Sequence, residues 1–117
     1  MSNNQSPHVQ IAVADPTPLG LMGLAVVTMV ASAAKLGIVS NVAWVLPWAI
    51  FCGAAAQVVA GVLDYLHKNI FGGTVFCAFG FFWFGVGMSW MIKAGAFGEG
   101  LAAGVDPLAI GFAFFAY

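Results

Sequence analysis

The sequence is poor in charged residues and contains no arginine. Three lysines and four acidic residues make up only 6% of its 117 residues, whereas hydrophobic residues make up 62%. Soluble domains carry about 25% charged residues, because a small domain leaves much of its surface in water. The composition therefore excludes an ordinary soluble domain and a disordered chain. The lack of a basic patch excludes a nucleic-acid-binding protein.

The sequence also lacks the residue patterns of enzymes and metal sites. It contains no H-E-x-x-H motif, no phosphate-binding loop and no Ser/His/Asp set. Its two cysteines, Cys52 and Cys77, lie inside apolar runs without a Cys-x-x-Cys pattern, and we interpret them as packing residues. We therefore predict that the protein is not an enzyme and binds neither a metal nor a cofactor.

The few charges divide the chain into long apolar segments. No charged residue lies between Asp15 and Lys35, between Lys35 and Asp64, or between Lys68 and Lys93. Each gap is close to or longer than the roughly 20 residues that a helix needs to cross a bilayer core about 30 Å thick. The spacing predicts an all-α integral membrane protein, a multi-pass bundle of transmembrane helices in the lipid bilayer.

We expect a disordered polar tail over residues 1–14 and a transmembrane domain over residues 15–117. The domain is predicted to contain three full helices, over residues 18–39, 42–66 and 71–92. A fourth apolar run, residues 107–117, is only about half a span long, and a bilayer does not tolerate a lipid-exposed half-helix well. We expect the chain to be a piece of a longer protein; the alternative is that this run packs as a short interfacial segment.

The first helix has a well-marked start, Asp15-Pro16-Thr17-Pro18. Asp favours the N-cap position, where its charge suits the positive end of the helix dipole. Pro16 suits the first helical position, where a missing N–H costs nothing. A capped transmembrane helix explains these residues. The alternative is that this helix start lines an anion path, because free amides attract carboxylates and phosphates.

Gln57 is a polar residue deep within the second apolar run. A buried amide must find partners, either by bonding across to another helix or by facing a pore. The small residues around it, among them Ala56 and Ala60, favour close helix packing. Both interpretations remain open at this point.

Asp64 lies near the end of the second run and is followed by His67 and Lys68. Asp64 and Lys68 are four residues apart, so a surface ion pair on a helix is the default interpretation. The alternatives are a proton-linked carboxylate at Asp64 and a pH sensor at His67.

Two groups of residues resemble the acetate uptake transporter family, also called the YaaH/SatP family. The first group, Pro16-Thr17-Pro18-Leu19-Gly20-Leu21-Met22, resembles the family signature N-P-x-P-L-G-L. The second group runs from the second helix into the third and comprises Gln57, Ala60, Gly61, Asp64, Tyr65, Asn69, Phe71, Gly72, Thr74, Phe76 and the stretch from Gly80 to Trp83. Both groups keep the family spacing without a gap, and the resemblance extends over residues 15–93.

The resemblance implies a six-helix membrane protein, of which this chain holds about half, assembled as a homohexamer. It implies transport of acetate or similar small carboxylates, either coupled to protons as a symport or through a channel-like path. The implied location is the cell (inner) membrane. The alternative functions are a non-transporting membrane sensor, an assembly protein of the same fold, or an inactive truncated product.

The resemblance also implies site residues. The signature and the glutamine of the second helix are linked to the substrate path, which here implicates Asp15, Pro16, Leu19, Gly20 and Gln57. Leu24 and Phe79 match positions that narrow the pore. This sequence departs from the family at two of these positions. Asp15 replaces an Asn and adds a negative charge, and Phe79 lacks the hydroxyl of the Tyr often found there.

Overall fold

The structure, a computed structural model, describes residues 12–117, and these residues form helices and connecting loops without a β-strand. The helices are α1 (Thr17–Lys35), α2 (Val42–Leu66), α3 (Ile70–Lys93), α4 (Glu99–Ala103) and α5 (Pro107–Ala116). Helices α1, α2 and α3 are each long and apolar enough to cross a membrane. The predicted fold class, three full membrane helices followed by a shorter apolar one, is therefore confirmed. Most of the predicted tail lies outside the described residues.

Helix α1 ends earlier than the sequence predicts, at Lys35 rather than at residue 39. Gly37 adopts a φ of +78°, a left-handed conformation that suits glycine after a helix end. The N–H of Ile38 then donates to the carbonyl oxygen of Ala33, which satisfies one of the last free carbonyls. The early end places Lys35 in the final turn of α1.

Helix α2 is continuous but not uniform. A 3-10 turn at Val42–Trp44 leads through Leu46–Trp48 into a π-helical segment, Ala49–Ala56, and the regular α-helix resumes over Gln57–Leu66. Segments of π-helix are rare and occur frequently at functional sites. The hydrophobic pattern predicts this helix but carries no signal for the π-helical segment.

The three long helices alternate in direction. Close contacts at two glycines show this. A Cβ at Gly20, near the start of α1, would lie 2.5 Å from the ring of Phe76, near the start of α3. A Cβ at Gly87, near the end of α3, would lie 2.6 Å from Ile50, near the start of α2. The start of α1, the end of α2 and the start of α3 therefore share one end of the bundle, which we call the Asp64 end. The opposite end is called the Lys35 end.

The core of the bundle lies where the three helices meet at Gly53. A Cβ at this position would lie 2.7 Å from Val27 of α1 and 2.8 Å from Trp83 of α3. Val27 and Trp83 pack with Ala49, Ala54 and Val86 into one buried cluster. Small residues allow membrane helices to approach closely enough for van der Waals packing to hold them together.

We expect Gly80→Ala to destabilise the bundle by about 1–3 kcal/mol. A Cβ at Gly80 would lie 2.9 Å from both the carbonyl oxygen of Ala54 and the backbone nitrogen of Val58. The backbone atoms of α2 can relieve this overlap only if α2 and α3 move apart. The free energy of unfolding in detergent or bicelles measures the effect.

Gly85→Ala in the same helix is the matched control, since a Cβ there meets nothing within 4 Å. We expect this variant to be as stable as the parent or more stable by up to about 1 kcal/mol, because alanine favours a helix over glycine. Equal destabilisation by the two substitutions would contradict the proposed contact between α2 and α3.

Candidate functional site

The start of α1 lies at the Asp64 end, and its cap differs from the prediction by one position. Pro16, not Asp15, is the N-cap residue, and its carbonyl oxygen accepts the N–H of Gly20. Asp15 still satisfies a free amide of the first turn, because its Oδ1 accepts the N–H of Thr17 at 3.0 Å. This backbone hydrogen bond lowers the pKa of the exposed Asp15 carboxyl below its usual value of 3.8. Asp15 is therefore negatively charged at neutral pH.

Gln57 lies at the junction between the π-helical segment and the regular part of α2, and its side chain is fully buried. Its Nε2 donates to the carbonyl oxygen of Gly53 at 2.8 Å. Its Oε1 has no hydrogen-bond partner among the described residues. The amide is therefore not satisfied by a bond to another helix within this part of the chain. It retains an acceptor and a second N–H donor.

Asp64 is also buried, with 2% of its surface exposed. Its Oδ2 packs against the Cα of Gly72, where any larger residue would collide with the carboxyl, and it has no hydrogen-bond partner among the described residues. The surface ion pair predicted between Asp64 and Lys68 is therefore wrong. Lys68 lies beyond the end of α2 in a left-handed conformation with a φ of +60°, so the helical spacing that the prediction assumes does not reach it.

Two side-chain contacts fix the turn between α2 and α3 beside Asp64. The hydroxyls of Tyr65 and Thr74 lie 2.9 Å apart and join the two helices. Asn69 caps α3, since its Oδ1 accepts the N–H of Gly72 at 3.0 Å. Sequence reasoning missed the Tyr65–Thr74 pair, although both residues belong to the group that resembles the family. His67 is exposed at the end of α2, and its predicted role as a pH sensor stays a prediction.

The residues predicted for the substrate path do not all share one surface. Pro16, Gly20 and Gln57 are buried, whereas Asp15 is exposed and Leu19 is 37% exposed. The contact face of α1 consists of Gly20, Gly23 and Val27. With 3.6 residues per turn, Leu19 lies on one flank of this face and Leu24 on the other. Leu19 therefore lies on a different side of α1 from Leu24, the residue of this helix that is predicted to narrow the pore.

The flank that carries Leu24 faces a groove between α1 and α3. At the Lys35 end this groove widens into a cleft of about 310 Å³, lined by Ala31 and Lys35 from α1 and by Phe82, Val86, Ser89 and Trp90, among others, from α3. Leu24 precedes Ala31 by two helical turns, so the two residues lie on one stripe of α1.

Phe79 lies on the facing stripe of α3. It is 39% exposed and precedes Phe82 by one turn and Val86 by two. Helical spacing therefore places Leu24 and Phe79, the predicted constriction residues, on the stripes of α1 and α3 that continue from the cleft. We call these two stripes the α1–α3 groove: Ala31, Lys35, Phe82 and Val86 line its cleft, and Leu24 and Phe79 lie on its continuation.

Helix α5 lines the same cleft through Pro107, Ile110 and Phe114. The ring of Phe82 contacts the rings of Phe114 and Tyr117, with centroid distances of 5.2 and 5.1 Å. Between α3 and α5 lies a further, largely apolar cleft of about 340 Å³. Within residues 12–117 no group of three or more His, Cys, Asp or Glu side chains is arranged to hold a metal ion.

Comparison with known proteins extends this picture. The chain is 39% identical over 71 residues to the succinate-acetate/proton symporter SatP of Escherichia coli, covering 61% of this chain and 38% of that protein. It is 44% identical over 78 residues to the ammonia transport outward protein 2 of Saccharomyces cerevisiae, covering 63% of this chain and 27% of that protein. A solved structure of the bacterial acetate channel SatP superposes with a TM-score of 0.68 at 34% identity, covering 71% of this chain and 46% of that one.

The chain spans half or less of the length of these relatives. The three membrane-length helices, together with the transporter relative and the channel structure, identify an integral membrane protein. The match to the family itself extends over residues 1–116 and includes both groups of residues that resemble it. The chain therefore belongs to the GPR1/FUN34/yaaH family.

Proposed function

We propose that this protein carries acetate and similar small carboxylates across a membrane, as a transporter or as a channel. The observation that carries the proposal is the likeness of its helices to the acetate channel SatP, at 34% identity over 71% of the chain. The geometry of the α1–α3 groove and of Gln57 supports it. We further propose that the protein has no enzymatic activity.

Gln57 is the proposed contact for the carboxylate in the middle of the path. One N–H of its Nε2 donates to the carbonyl oxygen of Gly53, so the second N–H can donate to a carboxylate oxygen. Pro16 and Gly20 lie toward the Asp64 end, where the positive end of the α1 helix dipole suits an anion. Leu24 and Phe79 narrow the groove, as apolar side chains do in pores.

Asp64 is the proposed proton-linked residue. The Escherichia coli relative is named a proton symporter. Asp64 is buried, and its Oδ2 has no partner among the described residues. An unpaired charge in a membrane interior is costly, so ionisable residues there are commonly functional. These observations support a carboxyl group that binds and releases a proton during transport.

The family resemblance supports a homohexamer as the working assembly and the cell (inner) membrane as its location. A non-transporting sensor of the same fold is the alternative function. The two are separated by measuring acetate binding and acetate uptake on the same preparation, because a sensor binds acetate without moving it.

We expect liposomes containing the protein to take up labelled acetate faster than empty vesicles, and we expect Gln57→Leu to reduce this rate about tenfold or more. The substitution removes the proposed hydrogen bond to the carboxylate, and a hydrogen bond to a charged group contributes about 1.5–3 kcal/mol. Initial uptake rates under an inward acetate gradient provide the measurement.

Thermal unfolding of the same preparation is the control, since leucine suits the apolar surroundings of Gln57 and we expect it to fold. Wild-type uptake no faster than that of empty vesicles would contradict the proposed function. Normal uptake by a folded Gln57→Leu variant would contradict only the role of Gln57.

We expect Leu24→Ala to widen substrate acceptance, so that uptake of three- and four-carbon monocarboxylates rises severalfold relative to acetate. The smaller side chain removes bulk from the α1–α3 groove opposite Phe79. Leu21→Ala is the matched control, because Leu21 is 53% exposed and lies on the outer side of α1. Selectivity among two- to four-carbon acids that stays unchanged in Leu24→Ala would count against a constriction at this position.

We expect Asp15→Asn to lower the KM for acetate about twofold at low ionic strength, since it removes a surface charge that repels the anion. Asn keeps an oxygen for the amide of Thr17, so the helix cap is retained. The pKa of Asp15 is held below 3.8, so the carboxyl is charged throughout the range from pH 5 to 7. The KM ratio should be the same at both pH values and should shrink in high salt. A ratio that changes between pH 5 and 7 would disprove this assignment.

A further inference from the structure

The Lys35 end of the α1–α3 groove contains one feature that the family resemblance does not assign. Lys35, in the last turn of α1, lines the cleft of about 310 Å³ together with Ser89 and Trp90 of α3. Its ammonium is the one cationic group among the described residues that line this cleft. The other side chains around it are predominantly apolar or aromatic.

The cleft suits a small carboxylate better than a neutral or cationic ligand. Apolar walls of low dielectric focus the field of a single charge and raise the local concentration of counter-ions. The hydroxyl of Ser89 donates to the carbonyl oxygen of Gly85 at 2.8 Å, so its proton is already used. Lys35 therefore dominates the attraction of an anion into the cleft.

None of the other charged residues at this end, Lys93, Glu99 and Asp106, lines the cleft. The carboxylate of Asp106 precedes the cleft residue Pro107, and its Oδ1 accepts the N–H of Leu108 at 3.0 Å as the cap of α5. Lys93 occupies the last turn of α3 and Glu99 begins α4, but neither lines the cleft. Lys93 and Lys35 thus share a helix-end position and differ in their access to the groove.

We propose that Lys35 forms a carboxylate-recruiting site at the mouth of the α1–α3 groove. The inference rests on the proposed function, since it names the residue that gathers acetate at the Lys35 end. From this site the stripe of Ala31 and Leu24 leads along α1 to the constriction with Phe79. Lys35 contacts the substrate before the constriction and takes no part in passage through it.

The test compares Lys35→Gln with Lys93→Gln in liposomes containing the protein, using labelled acetate. We expect Lys35→Gln to raise the KM about fivefold at low ionic strength, with the maximal rate within about twofold of wild type. The difference in KM between Lys35→Gln and wild type should disappear at about 0.5 M salt, because the Debye length is then only a few ångströms. Lys35→Arg should restore the wild-type KM, because it restores the charge. Lys93→Gln should leave the KM within about twofold.

Quenching of tryptophan fluorescence by acetate provides a second readout, because Trp90 lies in the same cleft. Weaker quenching in Lys35→Gln but not in Lys93→Gln supports the site. If the protein shows this pattern but moves no acetate, the proposed function is contradicted and the site is not. Wild-type uptake with an unchanged KM and unchanged quenching in Lys35→Gln overturns the inference and leaves the proposed function intact. Equal effects of the two lysine substitutions also overturn it, since they indicate a general surface potential.

Discussion

The close approach of α2 to its two neighbours through glycine is the constraint on which the rest of the structure depends. Lipid tails are as apolar as leucine, so helices in a membrane associate by packing rather than by escaping from solvent. Gly53 allows Val27 and Trp83 to meet across α2. Gln57 and Asp64 follow on the same face of that helix, one and three turns later. The face that holds the bundle together is therefore also the face that carries its buried polar groups.

Two oxygen atoms on this face are buried without partners among the described residues. A membrane protein that maximised stability alone would place apolar residues at these positions, since an unsatisfied buried acceptor costs about 1–3 kcal/mol. The Oε1 of Gln57 and the Oδ2 of Asp64 instead remain unpaired among residues 12–117. Natural proteins break such local rules mainly at functional sites. The proposed transport path, which must receive and release a small polar solute, provides a physical reason for both positions.

The sequence predicts the long helices well because charge in a membrane protein is confined to the ends of the spans. It fails where a single backbone conformation decides the outcome. The apolar run continues past Lys35, so hydropathy does not predict that the left-handed Gly37 follows the end of α1. The left-handed Lys68 similarly breaks the helical spacing on which its ion pair with Asp64 depends. Burial of Asp64 follows from the neighbouring Gly72, a contact between helices that no local pattern encodes.

The fixed charges also make the two ends of the bundle unequal. Asp15 carries a carboxylate at the Asp64 end, whereas Lys35 lines the cleft at the other end. In the proposed path, Asp15 repels a carboxylate solute locally and Lys35 attracts it locally; Lys68 adds a positive charge near the first end, and Lys93, Glu99 and Asp106 add charges of both signs near the second. Such asymmetry changes the affinity and the rate of entry on each side, but it does not by itself set the direction of net flux. A ligand shifts an equilibrium only through its differential binding, so under the proposed function the direction comes from the acetate gradient or from a proton gradient acting through the proposed proton-linked Asp64.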